Sequence, residues 1–292
     1  MSTVSTISDT VTDLSQAEGR SAAKRAVRRR IATVWAGRVG LAAFVLGGWQ
    51  LFTGLGIVDK FFFGQPTGIA KSLVDYFTNG TEFGSYYANI WVTMQEALIG
   101  FAIGTVAGIL LGVLLGQSPF LAEVLGPYIK IVNAIPRIVL GAIFIVAFGI
   151  GTTPKILLAA VLVFFVVFFN AFQGAREADR NILANARVLG ASRVQVIRHV
   201  IVPSALTWII ASLHTAFGFA IVGALVGEVL GAKAGLGLVI TTAQNNFDPD
   251  GVFATMFVVA VLVLGAEWLM AKLERRLLVW RPPSPAEASN AI

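Results

Sequence analysis

Apolar runs close to or longer than the roughly 20 residues needed to cross a 30 Å hydrocarbon core recur along this chain, separated by short charged or proline-containing segments. A run of that kind reads as a membrane-crossing helix, and several in one chain make a polytopic membrane protein. The composition agrees: 56% of the 292 residues are hydrophobic and only 13% are charged, against about 25% charged in average globular chains. Water-soluble enzyme folds are excluded on that balance. The net charge of +6 does not point to nucleic acid, because the basic residues flank the apolar runs instead of forming an aromatic-interleaved face. With no cysteine and only His199 and His214, no cysteine-ligated or histidine-rich metal site is expected.

Residues 1–32 are polar and basic, rich in Ser, Thr and Asp, and are expected to form a disordered cytoplasmic tail. This stretch is longer than the n-region of a cleavable signal peptide, so the first apolar run, Thr33 to Phe52, should remain as an anchor. A short interfacial helix is expected over Thr67 to Phe77. Further crossings fit Asn89 to Gly116, Pro154 to Phe172, Ser204 to Leu230 and Val252 to Leu273. One more lies within Phe120 to Ile150, where Lys130, Asn133, Pro136 and Arg137 interrupt the run and Pro136 marks a kink or helix start. The sequence thus reads as an all-α protein with six transmembrane helices in a membrane domain over 33–280, followed by a cytoplasmic tail over 281–292.

Charge orients it. Of the 22 Lys and Arg residues, seven fall from Arg20 to Arg38, five from Arg176 to Arg198 and four from Lys272 to Arg281. The positive-inside rule then puts both termini and the 174–203 loop in the cytoplasm. Lys60, Lys71, Lys155 and Lys233 fall in the outer segments.

The second crossing carries Gly100, Gly104, Gly108, Gly112 and Gly116, one bare face that lets another helix approach at backbone distance. Packing within the chain and a dimer interface are both open readings. Polar groups inside spans default to a pathway or gate, which makes Asn133, Pro136, Arg137, Asn170, His214 and Glu228 candidates. Asn133 and Arg137 share a face, and Arg137 could attract an anion or pair with Glu228. His214 reads as a core histidine or a substrate contact. Gln95, Glu96 and Glu267 sit near span ends, where a solvated interface is expected. Gly231, Gly235 and Gly237 allow a sharp re-entrant turn before 238–246.

The loop segment NILANARVLGASRVQVIRHVIVPSAL, residues 181–206, reads as two short helices divided by Gly190, with Ser192 as N-cap of the second and Pro203 closing it. Ile182, Leu183, Val188, Leu189, Val194, Val196 and Ile197 make it apolar for a solvated connection, so one face should dock on the membrane domain or on a partner protein.

Residues 186–203, ARVLGASRVQVIRHVIVP, resemble the EAA loop of bacterial ABC-importer permeases. The stretches at 93–112, 134–151 and 227–240 are similar to the nitrate, sulfonate, taurine and bicarbonate subfamily, so the likeness spans most of 60–275. Two departures stand out: Ala184, Asn185 and Ala186 replace the usual Glu-Ala-Ala, and Ala142 and Ile143 replace a usual Pro-Leu.

The resemblance implies a type I ABC-importer permease fold in the bacterial inner membrane. Its cytoplasmic coupling helix, carried on Ala184, Asn185, Ala186, Arg187, Leu189, Gly190, Ala191, Ser192 and Pro203, would seat in an ATP-binding subunit. It also implies two copies of that subunit, which would hold the ATP and Mg, together with a periplasmic solute-binding protein, a second permease copy in a homodimer, and surrounding lipid. No P-loop is present; GQPTGIAKS at 64–72 has the wrong spacing. The chain itself is therefore expected to bind no nucleotide and to catalyse no reaction. Expected cargo is a small anion, a sulfonate such as taurine or nitrate. The alternative is an ATP-independent channel or carrier, although no repeat of the two halves is evident.

Overall fold

The computed structural model describes residues 2–177 and 180–277. It divides into two compact units, one formed by the N-terminal helix and one by residues 60–280.

In the first unit, helix α1 spans Ser2–Gly54, of which Val27–Gly54 is long and apolar enough to cross a membrane. Leu41, Phe44, Val45 and Leu51 are exposed, as suits side chains in lipid. The segment expected to be disordered is helical from Ser2 onward. No proline interrupts it, and Ala, Gln, Glu, Lys and Arg supply helix propensity where apolar surface is scarce. The expected tail at 281–292 lies outside the described residues.

The second unit begins with the short helix α2 (Lys60–Phe63) and α3 (Pro66–Asn79), the expected interfacial helix. Then come α4 (Tyr86–Gln117), α5 (Pro119–Ala134), α6 (Arg137–Phe148) and α7 (Thr153–Arg176). The loop helices are α8 (Arg180–Val188) and α9 (Arg193–Val196), and α10 (Val202–Leu230), α11 (Leu236–Asn245) and α12 (Pro249–Leu277) complete the unit. Counting α1, five helices among the described residues are long and apolar enough to span, and the bent pair of α5 and α6 brings the number to six if it is one span. The bend is 86° and falls at the Pro136 break expected from sequence. Pro136 lacks an N–H and disfavours helical geometry at Ile135, so the ladder stops and restarts there.

α4, α7 and α10 form the core. Ala97 of α4, Val163 and Val167 of α7, and Ala216, Phe217, Ala220, Ile221 and Ala224 of α10 are buried together. All five stripe glycines of α4 face α7: a Cβ on Gly108 would meet the Phe164 carbonyl at 3.0 Å, and one on Gly112 would meet the Phe168 carbonyl at 2.7 Å. The stripe therefore serves packing within the chain. On α10, Gly223 is pressed just as closely on Ala159 Cα, at 2.5 Å.

Lipid offers apolar groups as good a solvent as any helix, so this contact rests chiefly on close van der Waals packing. Gly112→Leu should force α4 from α7 and cost about 1–3 kcal/mol or more. A lowered melting midpoint in detergent should show it; an unchanged midpoint would contradict the packing.

At the end of the unit away from the loop between α7 and α10, α3 is pinned to the start of α12. The backbone N–H of Gln65 donates to Asp250 Oδ1 at 2.7 Å, and Gly64 and Gly68 have no side chain because Asp250 fills that space. Burial, with the negative charge of Asp248 nearby, pushes the Tyr76 hydroxyl on α3 up to about 12.

Candidate functional site

The loop between α7 and α10 is built by two capping devices that the sequence encodes. α8 ends in Gly190 at φ +79°, a left-handed conformation that glycine adopts without Cβ strain. The Ala191 N–H then donates back to the Ala186 carbonyl at 3.0 Å and the Leu189 N–H to that of Asn185 at 3.0 Å, closing the helix end. Ser192 starts α9 in a reciprocal box: its Oγ accepts from the Gln195 N–H at 3.3 Å, and Gln195 Oε1 accepts from the Ser192 N–H at 2.7 Å.

Pro203 does not close a helix. The chain passes from α9 through a π turn, Ile197–Ile201, directly into α10, and Pro203 lies in its first turn. The wider turn precedes the proline, whose missing N–H is tolerated at a helix start.

These caps turn the loop two ways. Val196 and Ile201 are buried with Ala175 at the end of α7, and Ala186, Ala191, Ile197, Val200 and Val113 of α4 pack around them. The opposite side is bare: Val188 is 86% exposed, Leu189 85% and Val194 71%. Ala184, Asn185, Gly190 and Ser192 are exposed as well. Arg187 lies on α8, and its side chain is outside the described residues. Docking on the membrane domain thus uses only part of the loop's apolar surface and leaves large aliphatic side chains exposed on either side of the Gly190 turn.

A second polar constellation lies at the other end of the core, where α10 leads into α11. Glu228 is 1% exposed; its Oε1 accepts from Thr93 Oγ1 at 2.7 Å and its Oε2 from the Gly237 N–H at 2.6 Å. Thr93 Oγ1 in turn accepts from the Leu236 N–H at 2.8 Å, and Asn89 Oδ1 from the Gly235 N–H at 2.8 Å. Three consecutive N–H groups at the start of α11 are thereby held by side chains of α4 and α10. A carboxylate at a helix N-terminus is favoured by the helix dipole as well as by these bonds. Gly237 must be glycine for this approach, since a Cβ there would lie 2.6 Å from Glu228 Cβ and 2.7 Å from the Leu225 carbonyl.

Lys155 completes the cluster from α7. It is 1% exposed, and its Nζ donates to the carbonyls of Ile150 at 2.9 Å and Gly151 at 2.7 Å. Glu96 is likewise buried, and Lys155 interacts electrostatically with both Glu96 and Glu228. Glu96 is not at a solvated interface, contrary to what its place near a span end suggests, and Lys155, assigned from the sequence to an outer segment, is buried as well.

A signal was present. Glu96 falls four residues before Gly100 and so extends the glycine face toward α7. Lys155 stands four before Ala159, on the α7 face that meets those glycines.

The remaining candidates are dispersed. Arg137 does not pair with Glu228; it is exposed, and its Nη2 donates to Asn133 Oδ1 at 3.4 Å across the α5–α6 break. The bend carries both residues away on a separate helix pair. Asn170 Nδ2 donates to the Val166 carbonyl of its own helix at 2.8 Å. His214 Nε2 lies 2.9 Å from Glu274 Oε2, tying α10 to α12. Among the described residues no hydrogen bond or ion pair joins these groups into one site, and no cluster of His, Asp and Glu could hold a metal ion.

Residues 104–279 match the model of a family described as "Binding-protein-dependent transport system inner membrane component". The chain is 31% identical to the putative aliphatic sulfonates transport permease protein of Bacillus subtilis, over 85% of this chain and 88% of that one. It is 32% identical to the formylaminopyrimidine transport permease protein of Halalkalibacterium halodurans, over 67% and 78% respectively. In fold it is similar to the inward-facing MetNI methionine ABC transporter, with TM-score 0.60, 20% identity, and coverage of 65% of this chain and 94% of that one.

Proposed function

Because the chain belongs to the binding-protein-dependent transport inner membrane components and is thus a membrane-spanning permease subunit of an ABC transporter, we propose that its Gly190 loop is where a separate ATP-binding subunit docks. The observation that carries this reading is the bare aliphatic cluster of Val188, Leu189 and Val194 beside the Gly190 turn, on a loop whose other side is packed against α4 and α7. Apolar side chains of that size on a solvated, rigidly capped loop favour a protein partner. In this reading Ala184, Asn185, Ala186, Arg187, Ala191, Ser192 and Pro203 shape or line the docking helix. The missing Glu of the usual Glu-Ala-Ala leaves the contact mainly apolar. Two ATP-binding subunits would hold ATP and Mg and close on each other, pulling two permease copies between inward- and outward-facing states.

The proposed cargo is a small anion, a sulfonate such as taurine or nitrate, handed over by a periplasmic binding protein. Both termini and the Gly190 loop then lie in the cytoplasm of a bacterial inner-membrane complex, in keeping with the Lys and Arg distribution. The sulfonate relative supports the anion, and the formylaminopyrimidine relative supplies the competing neutral solute.

The test is ATPase activity of the complex in nanodiscs, titrated with binding proteins loaded with taurine, another alkanesulfonate, nitrate or a formylaminopyrimidine. Stimulation by a sulfonate- or nitrate-loaded protein is expected. Stimulation by the pyrimidine-loaded protein alone would overturn the anion assignment, and no co-purifying ATPase would overturn the docking role.

A further inference from the structure

A cavity of about 520 Å³ opens between α5 and the last turns of α7, at the end of α7 that leads into the Gly190 loop. Its volume is in the range of small-molecule sites. One wall is aromatic: Phe168, Phe169 and Phe172 line it from α7, with the Phe168 and Phe172 rings stacked at 6.1 Å. Its ionisable groups are Lys130 and Glu123 from α5 and Arg176 from α7. Arg176 is held in place by its guanidinium lying 5.3 Å from the centre of the Phe172 ring. Lys130 and Glu123 form no ion pair with each other or with Arg176 among the described residues.

We infer that this cavity binds an amphiphilic monoanion, with its head between Lys130 and Arg176 and its apolar body against Phe168, Phe169 and Phe172. Two cations and one carboxylate leave one uncompensated positive charge, which suits a sulfonate or a phosphodiester. Three phenyl faces suit an alkyl chain and offer nothing to a small hydrated anion. Long basic side chains can hold their charged heads toward water while their stems lie on apolar surface, which suits a head group at Lys130 and Arg176 and a chain on the phenyl wall. The same chemistry arrives from two sources, a phospholipid of the adjoining leaflet or a free alkanesulfonate, and the inference does not depend on which solute the complex imports.

Gly126 supplies the probe. It lines the cavity, and a Cβ built there meets nothing within 4 Å, so a larger side chain can fill the space without displacing backbone. The complex, in phosphatidylcholine nanodiscs with its ATP-binding subunit, is photolabelled with diazirine-bearing octanesulfonate, diazirine-bearing phosphatidylglycerol or an uncharged diazirine-bearing octanol, and the labelled peptides are mapped. Anionic label is expected on segments 119–130 and 168–176. It should fall at least about tenfold in Gly126→Leu and in the double variant Lys130→Gln with Arg176→Gln, with helical content unchanged. Labelling by the phosphatidylglycerol probe alone assigns a lipid site, and labelling by octanesulfonate assigns a site for a free anion. Equal labelling by the octanol, labelling insensitive to both variants, or no label in these segments would overturn the inference.

Discussion

Leu189→Asp is expected to strip the ATP-binding subunit from the complex while leaving the permease folded. Leu189 is 85% exposed in the chain by itself, so its replacement removes no internal packing. At a docked interface the same side chain would be buried, which is worth about 2 kcal/mol, and a carboxylate forced into that place adds a desolvation cost of similar size. Together these correspond to weakening by about two to three orders of magnitude in Kd. Copurification and stimulated ATPase activity should both be lost, whereas Leu189→Met should keep both. Retention of the ATP-binding subunit by Leu189→Asp would remove the loop from the interface. Gly190 acts differently: at φ +79° any side chain strains the turn that sets the angle between α8 and α9. Changes there would test orientation, not contact.

Lys155→Met is expected to be the most damaging single change to stability. It removes the buried positive charge that offsets Glu96 and Glu228 electrostatically and leaves the carbonyls of Ile150 and Gly151 without their donor. Leaving buried polar groups without their donor costs about 1–3 kcal/mol each, and more where charged groups lose their compensation. Glu228→Gln should be milder, because the amide oxygen can still accept from Thr93 or from the Gly237 N–H. The double variant Lys155→Met with Glu228→Gln should recover part of the loss, as neighbours sharing a network are non-additive. Thermal unfolding of the four proteins in one detergent measures this cycle. Strict additivity would show that Lys155 and Glu228 do not act on each other.

The two halves of the site differ in how openly the sequence displays them. Ser192 with Gln195, and Gly190 after Val188, are local signals: each acts on backbone within a few residues, so spacing alone reveals the caps. Pro203 misled for the same reason. A proline is locally a helix breaker, and only the π turn at Ile197–Ile201 lets the helix run through it. Lys155 and Glu96 misled because hydropathy averages over a window, and a charged residue near the end of a run looks like its solvated edge. Their period-four positions on the α4 and α7 faces were legible, but a face acquires meaning only when its partner is known.

Hydropathy, spacing and local turn chemistry already mark the approximate limits of the apolar helices, the glycine face of α4, the break at Pro136 and the capped loop. Each follows from chain length against hydrocarbon thickness, from the four-residue period of a helix, or from backbone chemistry confined to one turn. Only the packed fold shows that the glycine face meets α7, that Arg137 turns to Asn133 while Glu228 binds the start of α11, and that Val188, Leu189 and Val194 stay bare. Thr93 and Glu228 are 135 residues apart in sequence yet 2.7 Å apart in space. Such a contact is selected by the packing of whole helices, whose energy is spread over many weak van der Waals contacts that no local pattern records.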